Sequence, residues 1–245
     1  MRVLVVGDIC EDVFHYVKCD RLCPEAPVPV VVVKNTKESY GMAGNVSRNL
    51  ESLGCSVDLI SNQERIRKVR YVDDNTNQMF IRVDDDKDVQ RIRGIEDVNF
   101  KDYACVVISD YDKGFLSEED IKKISEKHHV TFLDSKKYIG SWCEDITYIK
   151  INSFEYERTL HTIKGMDSIL DKMIITAGSN GCTYKDKVYP VSKVDVKDLS
   201  GAGDSFLAGL VKKYITTKNI KDSIEFANHC ATQVVQQRGV STITR

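Results

Sequence analysis

The residues best suited to chemistry lie late in the chain, in Asp198-Leu199-Ser200-Gly201-Ala202-Gly203-Asp204-Ser205-Phe206. Three small residues precede an acid that opens an apolar helical pattern through Phe206, Leu207, Leu210 and Val211. Gly201 and Gly203 permit a tight turn and close backbone approach. Unpaired amides at a helix start, aided by the helix dipole, form a seat for an anion. An acid held there, Asp204, can take a proton from a hydroxyl while the amides hold the charge developing on a transferring phosphoryl group. A bare Gly-x-Gly-Asp would read as a plain turn with a helix-start acid. The longer string, late in a chain of alternating strands and helices, favours the chemical reading. Asp8, which follows Gly7, and Asp12 four residues on stand where a carboxylate at a strand end can accept hydroxyl hydrogen bonds.

These residues need a scaffold. Short apolar runs at 3–6, 57–60, 105–108, 130–133, 146–149 and 173–176 read as buried strands, because they are brief and rich in β-branched residues. Helical patterns at 45–53, 204–214 and 221–237 lie between or after them, and Ser117-Glu118-Glu119-Asp120 opens another helix with Ser117 as N-cap and acids in the first turn. Such alternation predicts an α/β fold with a mainly parallel central sheet and helices on both faces. Residues 28–33, 67–72 and 78–83 fall outside that scheme. The last two flank a turn at 73–77, and all three suit a small separate β-sheet acting as a lid, with lid segments near 10–35 and 66–84. The run 84–88, Asp-Asp-Asp-Lys-Asp, reads as a solvated turn, and His229 as a packing residue.

Composition narrows the function. The 245 residues carry 35 Lys+Arg against 37 Asp+Glu, net charge −2, a balance that argues against a nucleic-acid partner. No apolar run reaches the ~20 residues of a membrane span, and Gly7-Asp8 interrupts the first one too early for a signal peptide. The eight cysteines form no Cys-x-x-Cys pair, which favours reduced thiols in a cytoplasmic protein over zinc or disulfides.

Residues 198–211 resemble the C-terminal signature of the ribokinase-like, or PfkB, carbohydrate kinases. That resemblance makes Asp204 the catalytic base and Gly201, Ala202 and Gly203 the anion hole, on a ribokinase-like fold spanning 1–245 as one kinase domain. Gly7-Asp8 with Asp12 resembles the family's first strand and its sugar-hydroxyl contacts. Gly41-Met42-Ala43-Gly44-Asn45 resembles the N-terminal signature, which assigns Gly41, Ala43, Gly44 and Asn45 to the sugar, although Met42 breaks the usual Gly-Gly pair. Asn152-Ser153-Phe154-Glu155 is similar to the family's Asn-x-x-Glu motif, which places Asn152 and Glu155 near phosphate and Mg²⁺, Glu155 acting through water. Thr176, Gly178 and Gly181 stand where the family binds nucleotide, and Asn228 on its adenine side. The implied cofactors are ATP and Mg²⁺, with K⁺ a further candidate.

Within the family, Arg21-Leu22-Cys23-Pro24-Glu25-Ala26-Pro27-Val28-Pro29-Val30 and Ser109-Asp110-Tyr111-Asp112-Lys113-Gly114 resemble stretches of bacterial heptose 7-phosphate kinases. Asp134-Ser135-Lys136 resembles their Asp-Pro-Lys. The implied reaction is phosphorylation of D-glycero-β-D-manno-heptose 7-phosphate at C1. Asp110, Lys113 and Arg82 become candidates on the substrate side and Lys136 on the nucleotide side, since lysine and arginine suit phosphate. Another sugar, a sugar phosphate or a nucleoside stays open as acceptor, as does a non-catalytic sugar-phosphate-binding protein. Two departures stand out. There is no His-x-Gly-His motif of the nucleotidyltransferase found in bifunctional relatives, so a kinase alone is expected. The chain also passes from Asn62 almost directly to Lys68, which removes an element usual there and suggests reliance on a partner. The resemblance and the lid together suggest a homodimer.

Overall fold

A computed structural model describes residues 1–85 and 87–244, so Asp86 of the acidic run lies outside the described residues. Strand β1 (Arg2–Gly7) leads into two long strands, β2 (Ile9–Leu22) and β3 (Pro29–Met42), then helix α1 (Ala43–Ser52) and β4 (Ser56–Ser61). A hairpin follows, β5 (Arg67–Asp73) and β6 (Met79–Asp85). The chain continues through β7 (Cys105–Asp110), α2 (Glu118–Lys127), β8 (Thr131–Ser135), β9 (Tyr148–Asn152), α3 (Ser153–Thr159), α4 (Asp167–Leu170) and β10 (Met173–Thr176). It ends with β11 (Cys182–Tyr184), β12 (Lys187–Tyr189), α5 (Ala202–Thr217) and α6 (Ile220–Val234).

Eight strands form the main sheet in the order β12-β11-β10-β9-β8-β7-β1-β4. All pairs from β4 to β10 are parallel, and only the β10–β11 and β11–β12 pairs are antiparallel, so β11 alone runs against the rest. Both faces are covered, which explains the unbroken apolar run of β1. Val3 and Val5 pack with Val46 of α1, Leu207 and Leu210 of α5 and Ile224 of α6. Leu4 and Val6 pack on the other face with Ile121 and Ile124 of α2 and Ile169 of α4. Ser117 caps α2 in a capping box with Asp120.

The small sheet has the order β3-β2-β5-β6. Asp73 stabilises the hairpin turn by accepting from the Asn75 and Thr76 amides. This lid is longer than the sequence pattern indicates, with strands over 9–22 and 29–42. Strand β3 lies exposed over most of its length, so its polar residues beyond Val33 carry no burial signal. Other boundaries shift for local reasons. The strand expected at 146–149 lies at Tyr148–Asn152, because Ile146 is buried from a turn closed by its amide on the Cys143 carbonyl. The last helix stops at Val234, where the Lys197 and Asp198 amides take the Val235 carbonyl. The β11–β12 hairpin, three residues per strand, is too short to show a period. His229 is not a packing residue: it is exposed and meets Gln233 at 3.1 Å.

Strand β4 is the edge of the main sheet, joined to β5 by residues 62–66 alone. Asn62 stitches that link to the lid, accepting from the Ile9 amide at 2.7 Å and donating to the Glu64 carbonyl at 2.8 Å. All eight cysteines are free thiols, six of them buried. No helix among the described residues is long and apolar enough to cross a membrane.

Candidate active site

Helix α5 opens at Gly201, whose φ of 81° is left-handed, and no side chain caps it. The Ala202 amide turns back to the Leu199 carbonyl at 3.3 Å, so the amides that follow it, at Gly203 and Asp204, are the ones left for an anion. A Cβ on Gly201 would lie 2.7 Å from the Asn45 amide nitrogen. Gly201→Ala is thus expected to cost about 1–3 kcal/mol through left-handed strain and to push Asn45 off its partner. A lowered urea midpoint with unchanged slope would register the first effect.

That partner is Asp204, which is buried. One carboxylate oxygen accepts from Asn45 Nδ2 at 2.8 Å and the other from the Tyr111 hydroxyl at 2.8 Å. Burial pushes its pKa up to about 6, although the Asn45 and Tyr111 hydrogen bonds and the Lys150 charge oppose the rise. Asp204 is therefore a carboxylate at neutral pH, with a proton affinity near that of a working base. Asn49, one turn after Asn45 on α1, fixes Asn45 by donating to its side chain at 3.1 Å, and accepts from Ser205 of α5 and the Ile243 amide.

Cations gather at the ends of β8 and β9. Lys150, 4 % exposed, donates to Asp134 at 2.6 Å. A Cβ on Gly203 would sit 3.0 Å from Lys150 Nζ, so this ammonium lies against the anion turn. Lys136 pairs with Glu155 and lies 3.6 Å from Asp134. Burial works against its charge, but Asp134 and Glu155 outweigh that and raise its pKa. Burial also works against ionised Asp134, yet Lys150 and Lys136 hold its pKa below the usual range. Asn152 and Glu155 form the capping box of α3, each side chain accepting the other's amide. Glu155 and Asp134 supply hard oxygen donors, and Asp134 Oδ1 is buried without a hydrogen bond. No group of three metal-ligating side chains occurs among the described residues. Such a sparse donor set fits Mg²⁺, which keeps waters and binds substrate phosphates, and does not suit a metal needing a full protein cage.

On the opposite side Asp8 is buried and accepts the Tyr111 amide at 2.7 Å. Burial raises its pKa against that hydrogen bond. Asp12 pairs with Arg70 of the lid, and its carboxylate abuts Gly41. Met42 precedes α1 with φ 58° and is 2 % exposed. It packs with Cys10 and Ile66 near Tyr111. Ala43 and Gly44 open α1, the Ala43 amide on the Asp8 carbonyl. Asp110 is held by Ser135 and by Lys137 at 3.0 Å. Lys113 follows in the loop after β7. Arg82 lies on the exposed lid strand β6, where it pairs with Asp84 at 2.8 Å.

Thr176 ends β10 with its hydroxyl on the Ile151 carbonyl at 3.2 Å. Gly178 and Gly181 bound the following turn. Asn228 donates to the Tyr189 carbonyl at 3.0 Å, which ties α6 to β12. The structure therefore brings Asn45, Gly201, Gly203 and Asp204 together, and Lys136, Asn152 and Glu155 beside them. Asp110, Arg82 and Asn228 make their hydrogen bonds elsewhere.

Three residues at the centre were not singled out from sequence: Tyr111, Lys150 and Asn49. Lys150 carried a signal, a lysine inside an otherwise buried strand. Asn49 carried another, its i,i+4 spacing from Asn45.

The pattern described as pfkB family carbohydrate kinase matches residues 119–245. The chain is 31 % identical over 298 aligned positions to the Bifunctional protein HldE of Nitratiruptor sp., covering 99 % of this chain and 63 % of that one. It thus spans less than two thirds of that relative's length. Among solved structures it resembles the nucleoside kinase of Methanocaldococcus jannaschii, an archaeal member of the ribokinase family, at TM-score 0.71 and 17 % identity, over 99 % of this chain and 94 % of the other. It also resembles the Arabidopsis thaliana ribokinase complexed with ribose and ATP, at TM-score 0.71 and 12 % identity, over 99 % and 95 %. These two likenesses establish a ribokinase-like fold.

Proposed function

Because the chain belongs to the pfkB family of carbohydrate kinases, we propose that it moves the γ-phosphoryl group of ATP to a sugar hydroxyl, with Asp204 as general base. The observation that carries this is the buried Asp204 carboxylate at the uncapped start of α5. The acceptor hydroxyl gives its proton to Asp204, and its oxygen forms the new bond to phosphorus as the bond to ADP breaks. The amides around Gly203, with Lys150 and Lys136, hold the charge on the transferring group. Glu155 and Asp134 would hold Mg²⁺ through water, and the ion supplies neutralisation of the phosphate charge. Thr176, Gly178, Gly181 and Asn228 are assigned to the nucleotide side. Asp8, Asp12, Gly41, Ala43 and Gly44 are assigned to the sugar, with Asp110, Lys113 and Arg82 at its periphery.

The substrate we assign is D-glycero-β-D-manno-heptose 7-phosphate, phosphorylated at C1. Its support is the resemblance of residues 21–30 and 109–114 to heptose 7-phosphate kinases, together with the similarity to HldE. Free thiols and a need for ATP suit a cytoplasmic setting. Exposed Val32 and Val33 on β3 and Ile81 and Val83 on β6 support a homodimer through the lid, which sedimentation would test.

ADP release from Mg-ATP, measured with heptose 7-phosphate, ribose, fructose 6-phosphate and adenosine, tests the assignment. Heptose 7-phosphate is expected to give the highest kcat/KM. A better rival would keep the mechanism and remove the substrate. Sugar binding without any turnover would instead favour a non-catalytic binding protein.

The base must be ionised to work. Activity is therefore expected to rise with pH and level off above a midpoint near Asp204's value of about 6. The groups around that carboxylate are Asn45, Tyr111, Asp134 and Lys150, with Lys136 and Cys10 also within electrostatic reach. A pH–rate profile that is flat from 5 to 8 would count against a base with that proton affinity.

A further inference from the structure

Both oxygens of Asp204 are hydrogen-bonded, one by Asn45 and one by Tyr111. A carboxylate oxygen can take a second donor, but Asp204 is only 5 % exposed, and in so closed a pocket an acceptor hydroxyl reaches it by taking one of those places. Asn45 is badly placed to yield. It is fully buried on α1 and held by Asn49. Tyr111 is different. It sits on the loop after β7, between Asp110 and the left-handed Asp112, φ 55°, and its residue is only partly buried. Its backbone is pinned, because its amide donates to Asp8, so the side chain is the part able to move. Two ammonium groups flank its ring: Lys68 of the lid strand β5 at 5.4 Å and Lys136 of the phosphate side at 5.0 Å. The ring thereby touches the lid, the phosphate side and the base at once.

We infer that Tyr111 is a positioning residue whose phenol occupies the seat of the acceptor hydroxyl, donating to Asp204 until a sugar takes over that hydrogen bond. This rests on the reading of Asp204 as the base. The phenol is suited to the task because burial and the nearby Asp204 charge keep its pKa well above ordinary, so it remains a donor throughout the working range. Two consequences follow for selection of the acceptor. A hydroxyl must replace a formed hydrogen bond rather than fill a vacancy, which disfavours ligands that lack further contacts. Water meets the same barrier, which suppresses wasteful hydrolysis of ATP.

Tyr111→Phe keeps the ring between Lys68 and Lys136 and removes only the O–H. Losing one neutral hydrogen bond to the carboxylate is expected to move the Asp204 midpoint upward by roughly half to one pH unit. It should also raise sugar-independent ADP release by about 5-fold. The midpoint can be read without any substrate, by following the side-chain carboxyl carbons of ¹³C-aspartate-labelled protein against pH. The signal missing in Asp204→Asn identifies the residue. An unmoved midpoint would mean that the phenol does not donate to Asp204, and a moved midpoint with unchanged sugar-independent ADP release would mean that it does not hold the acceptor's seat; either result overturns the inference. Should Tyr111→Phe fail to fold, the unmutated chain carrying 3-fluorotyrosine serves instead. Its more acidic phenol is a stronger donor, so the midpoint must then fall, and no change again overturns the inference. Turnover surviving in Asp204→Asn would remove the base itself. A dead Asp204→Asn beside an unshifted Tyr111→Phe would remove only the role of the tyrosine.

Discussion

Asp204→Asn is expected to lower kcat by about 10²–10⁴-fold, the range set by loss of a positioned general base, while the folded state persists. The amide has the carboxylate's shape. Its oxygen can still accept from Asn45 Nδ2, and the Tyr111 hydroxyl can turn to accept from the new NH₂ group. What disappears is the capacity to take a proton. The variant also makes a stability prediction with a definite sign. An unfolded aspartate ionises near ~3.9, whereas burial delays ionisation of native Asp204 to about 6. Between those values the native chain binds more protons than the unfolded one, so this group's contribution to stability declines as pH rises through that window. Asparagine has no such slope. The stability of the variant relative to the parent should therefore increase from pH 4 to pH 6 and stay level above it. Urea titrations at several pH values would show this, and a parallel pH dependence in both proteins would contradict the burial argument. Loss of turnover with retained or improved stability would mark Asp204 as a residue kept for chemistry at a cost to the fold.

Much of that centre was legible in the sequence, and the reason is local. Gly201, Gly203 and Asp204 are neighbours, so the turn, the helix start and the buried acid that we assign as anion seat and base are written in one string. The strands of the main sheet were legible too, because burial on both faces leaves unbroken apolar runs such as 3–6. The lid was harder. Strand β3 is exposed over most of its length, and an exposed strand has little alternation to detect. Long-range pairing was hardest. Tyr111 meets Asp204 across 93 positions of sequence and Asn45 meets it across 159. No spacing rule joins residues brought together by the parallel order of β1, β7, β8 and β9. Lys150 shows the same limit: a lysine in a buried strand announces a partner, but only the register of β8 beside β9 places Asp134 there.

Lys150→Met is expected to be the most damaging single change to stability. Lys150 and Asp134 are 4 % and 1 % exposed and lie 2.6 Å apart. Removing one member of a buried pair strands the other charge, at about 3–5 kcal/mol. Lys136, 3.6 Å from the second oxygen of Asp134, would relieve part of this, so the loss should fall toward the lower end. Turnover should fall independently. The ammonium lies against Gly203, where the anion seat is, and loss of one such donor typically costs about 10²–10³-fold in kcat. A second substitution separates the two effects. In Asp134→Asn/Lys150→Met no charge is stranded, so the urea midpoint should recover most of the way toward the parent, while kcat stays low. A double variant as unstable as the single one would mean that the pair is not what holds β8 to β9 here. A double variant that regains turnover would mean that neither the Lys150 ammonium nor the Asp134 carboxylate assigned to Mg²⁺ is needed for the reaction, leaving Glu155, Lys136 and the α5 amides to hold the ion and the transferring charge.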